Sequence, residues 1–279
     1  MAEPNIYLPY LMRIARIMDE APAVKTFRLE FAHPDDADRF DFKTGQFGLY
    51  SAFGEGESTF CIASSPTRKG YIECTFRAVG RVTQALATKE EGDIIGFRGP
   101  YGNLFPIEEW RDRNLLFVAG GIALPPLRSV IWNCLDQRDW FQDITVVYGA
   151  RSVADLVYKY ELQDWQKRSD IELAVTVDPG GETPDWQGKV GFVPSVVEQL
   201  APRSDNTIAI VCGPPIMIKH TLPLLEQLGF TAEGIYTTLE NRMKCGLGKC
   251  GRCNTGKSFI CKDGPVYTLA QLQALPAEY

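Results

Sequence analysis

Short runs rich in β-branched and aromatic residues occupy the first part of the chain: Lys25 to Phe31, Gln46 to Tyr50, Tyr71 to Ala78 and Asp93 to Phe97. Gly and Pro turns separate them, and from Ile14 to about Phe105 the pattern predicts a small antiparallel β-barrel. From Asn114 the texture changes. Apolar strands (Leu115 to Ala119, Ile144 to Tyr148, Glu172 to Val177, Thr207 to Cys212, Ile235 to Leu239) alternate with stretches of helical spacing. That alternation predicts an α/β domain with a parallel sheet and crossover helices. The remainder, Glu240 to Tyr279, is rich in Cys, Gly and Lys and too short for a core of its own, so it needs a cofactor to hold it. The predicted organisation is a barrel over residues 1–109, a parallel-sheet domain over 110–239 and a small C-terminal segment over 240–279.

Charge and composition narrow the function. The 279 residues carry a net charge of −6 with both signs interspersed, which argues against a nucleic-acid footprint and for small-molecule and protein partners. The opening MAEPNIYLPY lacks the basic start and apolar run of a signal peptide, and no long uninterrupted apolar stretch follows. The expectation is a cytoplasmic protein without membrane insertion. Of 8 cysteines, Cys245, Cys250, Cys253 and Cys261 crowd into one short segment, which points to metal rather than to a disulfide scaffold.

Cys245, Cys250 and Cys253 stand in the C-x4-C-x2-C spacing of a plant-type [2Fe-2S] loop, and Cys261 supplies a fourth thiolate. Gly246, Gly248 and Gly251 fall between them, where a chain wrapping a cluster needs unusual dihedrals and open backbone N–H groups. Structural zinc is the competing reading, although its Cys pairs usually flank a longer insert. Lys244, Lys249, Arg252 and Lys257 either offset the charge of a cluster or form a solvated basic face.

A dinucleotide signal lies in the parallel-sheet region. Gly120-Gly121 follows the Asn114–Ala119 strand and leads into a helix near Pro125-Pro126, so a pyrophosphate could approach the backbone there. Cys212-Gly213-Pro214-Pro215 makes a second tight turn at the same carboxyl edge of the sheet. Cys212 is equally readable as a small buried hydrophobe.

Together these residues resemble the ferredoxin-NADP reductase superfamily, in the branch of the dihydroorotate dehydrogenase electron-transfer subunit and the gamma subunit of sulfhydrogenase-type [NiFe] hydrogenases. The resemblance runs through Gly45-Gln46-Phe47, Ser58 to Pro66, Arg77 to Leu86, Gly99 to Gly102, Gly120 to Pro126, Gly149 to Arg151, Cys212 to Met217 and Glu240 to Cys261, with Asp263-Gly264-Pro265 after it. It implies a β-barrel FAD domain, an α/β NAD(P) domain and a small C-terminal [2Fe-2S] segment. It also implies that Ser58, Thr59, Phe60 and Cys61 face the flavin ring, and that Thr75, Phe76, Arg77, Val82 and Thr83 hold its ribityl and phosphate groups. Gly120, Gly121, Cys212, Gly213 and Pro214 would hold the nucleotide, with Cys212 near the nicotinamide. The sequence departs from the family pattern at Ser58 (usually arginine), Cys61 (usually serine), Ala123 and Pro125, and Arg77 or Arg81 could restore the missing charge.

The implied activity is that of a diaphorase-type subunit moving electrons between NAD(P)H, FAD and the cluster, to or from a partner such as an iron–sulfur or hydrogenase-type subunit. Flavin belongs between the two-electron and one-electron carriers, and direct hydride transfer asks for no protein acid, base or nucleophile. His33 and His220 accordingly sit in no catalytic pattern. Arg151 and Ser152 follow the second strand of the sheet, where an Arg-Ser pair could receive a 2′-phosphate, which puts NADP ahead for Arg151, whereas Ser152 reads better as a helix cap. A stand-alone iron–sulfur flavoprotein reductase, and an electron-relay adaptor without nicotinamide activity, remain open alternatives.

Overall fold

The structure, a computed structural model, describes residues 5–276. Residues 1–4 and 277–279, the outer ends of the first and last predicted regions, lie outside the described residues.

Six strands build the N-terminal domain: β1 (Tyr10–Ala21), β2 (Val24–Phe31), β3 (Phe47–Ala52), β4 (Gly56–Cys61), β5 (Ile72–Arg77) and β6 (Ile94–Tyr101), with short helices α1 (Pro34–Arg39) and α2 (Arg81–Ala87). They form one antiparallel sheet in the order β4-β3-β6-β1-β2-β5. The sheet rolls up so that its outer strands approach, with Phe60 of β4 stacked on Phe76 of β5 at 5.5 Å and Ala63 N–H donating to the Glu73 carbonyl at 2.7 Å. No continuous ladder joins β4 to β5, so the expected barrel is open along that seam. Met12, Phe27, Tyr50, Phe76 and Phe97 fill its interior.

The second domain contains β7 (Asn114–Gly120), α3 (Leu124–Asp136), β8 (Ile144–Ala150), α4 (Lys159–Gln166), β9 (Glu172–Val177), β10 (Lys189–Val190), α5 (Val193–Leu200), β11 (Thr207–Cys212), α6 (Pro215–Gln227) and β12 (Ile235–Thr238). Beyond it lie β13 (Asn254–Thr255), β14 (Ser258–Phe259), α7 (Ile260–Asp263), β15 (Val266–Thr268) and α8 (Leu269–Gln273). The large sheet runs β10-β9-β8-β7-β11-β12-β15, parallel except for the last strand. Alternate residues of β7 serve opposite faces: Leu115, Phe117 and Ala119 pack under α3 and α4, while Leu116 and Val118 pack with α5 and α6. This is the near-continuous apolar run that a strand covered on both faces requires.

Two features position the site. The sheet reverses its strand order between β7 and β11, which places the Gly120–Gly121 and Cys212–Pro214 turns side by side at its carboxyl edge. The C-terminal segment is also tied into the molecule more closely than an appendage: β15 completes the large sheet, and Leu269 joins its core. Among the described residues, no helix is long and apolar enough to cross a membrane.

Candidate functional site

A cavity of about 1380 Å³ opens where the rolled sheet, the carboxyl edge of the parallel sheet and the cysteine segment meet. From the first domain, Ser58, Thr59, Phe60 and Cys61 of β4 line it, joined by Thr75, Phe76 and Arg77 at the end of β5 and by Thr83 of α2. As the outer strand of its sheet, β4 is half-buried along most of its length because one face looks into this cavity. Val82 is not on the wall; it packs against the core of the first domain.

Three of the hydroxyls on this wall have protein partners, that of Thr59 reaching the cysteine segment. Thr75 is hydrogen-bonded to Thr26 at 2.7 Å and to the Tyr158 hydroxyl. Thr83 Oγ1 accepts from Gly80 N–H at 2.8 Å, closing the first turn of α2. Arg81, one of the cations that could have faced the cavity, is instead surface-exposed and paired with Glu55 at 2.5 Å.

From the second domain, Gly120, Ala123, Pro125, Cys212, Gly213 and Pro214 line the opposite wall. The glycines there lie against the flexible end of Met217: a Cβ at Gly120 would fall 2.6 Å from its sulfur, and one at Gly213 would fall 2.2 Å from its methyl. Gly121 is not on this wall: it has φ of 56° with open space around it, and its carbonyl accepts from the Tyr148 hydroxyl at 3.2 Å. Cys212 Sγ lies 2.7 Å from Thr238 Oγ1. Burial pushes the Cys212 thiol up to about 12 against the opposing Thr238 hydrogen bond, and burial beside Cys212 and Glu240 raises the Cys61 thiol further. Both sulfurs are therefore neutral S–H groups near pH 7.

Arg151 and Ser152 lie off this wall, at the ends of β8 and β9. The Ser152 hydroxyl bonds Asp155 Oδ2 at 2.8 Å, and Asp178 stands beside Arg151, bound through its own N–H to the Ala150 carbonyl at 3.0 Å. Packing is tight, since a Cβ at Gly181 would meet the Arg151 carbonyl oxygen at 1.9 Å.

The cysteine segment folds back on the first domain. Thr59 Oγ1 donates to the Met243 carbonyl at 3.2 Å, and a Cβ at Gly246 would reach 2.4 Å from the Tyr101 ring. Gly246, Gly248 and Gly251 all have positive φ (73°, 67° and 74°), as a loop that turns its amides inward requires. Leu247 and Lys249 N–H point at Cys245 Sγ, each at 3.4 Å, and Gly248 N–H points at Cys261 Sγ at 3.2 Å. Burial opposes ionisation of Cys245, but the amides of Leu247, Cys250 and Lys249 outweigh it and bring the thiol down to about 6.

The four sulfurs fall into neighbouring pairs, Cys245 with Cys250 and Cys253 with Cys261. Among the described residues, no three His, Cys, Asp or Glu side chains close on a point suited to one ion. Two cysteine pairs with amides aimed at sulfur fit two iron atoms. Tyr267 adds a further sign of fit: it packs in the same cluster as Cys253 and Cys261, with its buried hydroxyl lacking a partner among the described residues. Cys250 is exposed, whereas Cys253 and Cys261 are buried.

Comparison with known proteins follows the same division. Residues 13–105 match an oxidoreductase FAD-binding domain, 117–222 an oxidoreductase NAD-binding domain, and 240–273 the iron–sulfur cluster binding domain of dihydroorotate dehydrogenase B. Sulfhydrogenase 1 subunit gamma of Pyrococcus furiosus is 36% identical over 280 residues, covering 99% of this chain and 96% of its own. Sulfhydrogenase 2 subunit gamma of the same organism is 38% identical, covering 95% and 96%. A probable dihydroorotate dehydrogenase B (NAD(+)) electron transfer subunit of Methanocaldococcus jannaschii is 32% identical, covering 93% and 89%. In fold, the chain is similar to a solved structure of an NADH-dependent reduced ferredoxin-NADP oxidoreductase, with a TM-score of 0.73, 24% identity and coverage of 100% of this chain and 95% of that one. By these full-length similarities the chain belongs to the family of FAD-, NAD(P)- and iron–sulfur-binding electron-transfer subunits that includes the sulfhydrogenase gamma and dihydroorotate dehydrogenase B subunits.

Proposed function

We propose that this chain is the nicotinamide-reactive subunit of a larger oxidoreductase and exchanges electrons with a partner iron–sulfur or [NiFe]-hydrogenase-type subunit through FAD and a [2Fe-2S] cluster. The observation that carries the reading is the shared cavity, whose three walls come from the three regions that match FAD-binding, NAD-binding and iron–sulfur-binding families. Ser58 to Cys61 and Thr75 to Arg77, with Thr83, would receive the flavin. Gly120, Gly121 and Cys212 to Pro214 would receive the nicotinamide nucleotide, and Cys245, Cys250, Cys253 and Cys261 would hold the cluster.

Bound there, FAD supplies the exchange between the two-electron chemistry of nicotinamide and the one-electron chemistry of an iron–sulfur centre. The protein's part is placement. Phe60 and Phe76 give the cavity an apolar wall, and the neutral thiols of Cys61 and Cys212 face it without offering a nucleophile. Amides of Leu247, Gly248 and Lys249 stabilise thiolate charge, and the exposed Cys250 gives the cluster an edge at the surface for a partner. The acids around Arg151 favour NADH over NADPH, because a 2′-phosphate dianion would stand beside Asp155 and Asp178.

Purification from the native source without denaturation, followed by identification of co-eluting chains, tests the partner. An iron–sulfur or hydrogenase-type subunit in fixed ratio is the expected result. A lone chain that turns over fully with a soluble acceptor would instead be a stand-alone reductase.

A further inference from the structure

The charge on the cavity wall is lopsided. Arg77, Lys219, Arg242, Lys244 and Arg252 line it against only Glu226 and Glu240, in a chain whose net charge is −6. Among the described residues none of those five cations is paired with a carboxylate, whereas Arg81 outside the cavity is held by Glu55. Unpaired cations facing one concave surface raise the local concentration of an anionic ligand. Three of the five, Arg242, Lys244 and Arg252, belong to the cysteine segment and not to either nucleotide-binding domain.

A contact to the flavin-facing strand places Arg242 and Lys244. The carbonyl of Met243, between Arg242 and Lys244, accepts from Thr59 Oγ1 of β4 at 3.2 Å, next to Ser58 on the cavity wall. Arg242 itself has φ of 44°, a left-handed conformation that a side chain with a Cβ rarely adopts, and such strain accumulates where a ligand is gripped. The first domain contributes just one cation to this wall, Arg77, although FAD carries two phosphates.

We infer that Arg242, Lys244 and Arg252 of the cysteine segment hold the pyrophosphate of FAD, so that flavin retention depends on the segment that also carries the cluster. This rests on the reading of the cavity as a flavin site and extends it: the cluster segment is part of the FAD-binding surface as well as the electron exit. Loss of the cluster would loosen the flavin without touching β4 or β5.

The test uses the full-length chain, freed of flavin with its cluster retained, and compares binding of FAD, of lumiflavin (the same ring without phosphates) and of NADH to flavin-loaded protein. Arg242→Gln, Lys244→Gln and Arg252→Gln, singly and together, are measured at unchanged iron content, with Arg81→Gln as a comparison and Arg252→Lys as the conservative variant. Each single loss is expected to weaken FAD about tenfold and to leave lumiflavin within about twofold. Arg252→Lys should recover most of the affinity, and Arg81→Gln should change nothing. Unchanged FAD affinity in the triple variant overturns the inference, as does an equal loss for lumiflavin. A loss of NADH affinity at constant FAD affinity would assign the cations to the nicotinamide nucleotide and also overturn it. Failure of the wild-type chain to bind any FAD would defeat the flavin reading itself, a separate outcome.

Discussion

Arg128 of α3 extends out of the parallel-sheet domain and places Nη1 2.7 Å from Glu73 Oε2 on β5 of the flavin domain. The same guanidinium grips Glu161 of α4 through Nε at 2.7 Å and Nη2 at 2.5 Å, and Nη1 also reaches the Ala63 carbonyl at 2.9 Å. Arg128 is 4% exposed and Glu73 1%. Burial disfavours its charge, but Glu161, Tyr158 and Glu73 outweigh that and hold the guanidinium firmly protonated. One side chain thereby bonds both the parallel-sheet domain and the rolled-sheet domain.

Replacing Arg128 by Met leaves the buried Glu161 without its cation and Glu73 with Arg28 alone, 2.9 Å away. The expected cost is about 3–5 kcal/mol of stability, read as a shift of the urea midpoint. A double replacement of Arg128 and Glu161 by apolar residues of similar volume should recover most of that loss, since Glu73 keeps Arg28 and no buried carboxylate is stranded.

Nucleotide choice is expected to turn on Asp178. Its carboxylate beside Arg151 should repel a 2′-phosphate, so kcat/KM for NADH should exceed that for NADPH. Asp178→Ser should raise kcat/KM for NADPH by about tenfold, one like-charge contact of roughly 1.4 kcal/mol, with NADH changed far less. Steady-state kinetics with both nucleotides decide it, and an equal effect on both would return Asp178 to a loop-building role.

Removing a cluster ligand separates the two halves of the electron path. Cys253→Ala deletes one buried sulfur, and the resulting protein should lose its iron and loosen over residues 240–263, because metal binding is much of that segment's folding energy. The two large domains keep their own cores and should remain folded by circular dichroism. With FAD in excess, NADH should still bleach the flavin, while transfer to the partner subunit collapses. Full partner activity without iron would mean that electrons leave from the flavin directly.

Much of this architecture is legible in the sequence, and the illegible parts have physical reasons. The strands of the large sheet stand out because both faces are buried, as in β7 and β11. β1 is obscured because register shifts between Ile14 and Arg16 and between Asp19 and Ala21 break its alternation. β4 is hidden for a functional reason: Gly56-Glu57-Ser58-Thr59 lacks an apolar face because it lies beside a cavity meant for a polar ligand. β15 is too short to show a period and lies beyond the cysteines, so only its pairing with β12 reveals it. Arg128 gives no sequence signal at all, since a lone arginine on a helix reads as solvent-facing until its buried partners, remote in the chain, are seen.

Among the candidate residues, the cysteine spacing is the clearest because few sequences place four thiolates and three glycines so close together. Gly120 is legible as a glycine, but its close approach to the sulfur of Met217 is not. The cations of the cysteine segment give no sign in sequence of facing the cavity, because that depends on the Thr59–Met243 contact across the fold.

Electrons are expected to pass from reduced nicotinamide through flavin to a two-iron cluster within this one chain. Anaerobic titration of the purified, cofactor-replete protein with NADH, followed by visible absorbance and by electron paramagnetic resonance on the same samples, tests it most directly. The expected result is bleaching of the flavin band together with a resonance from a reduced [2Fe-2S] cluster, abolished in Cys253→Ala. Flavin bleaching with no cluster resonance at any stage, in protein that holds zinc rather than iron at its four cysteines, would rule out electron transfer to a two-iron cluster.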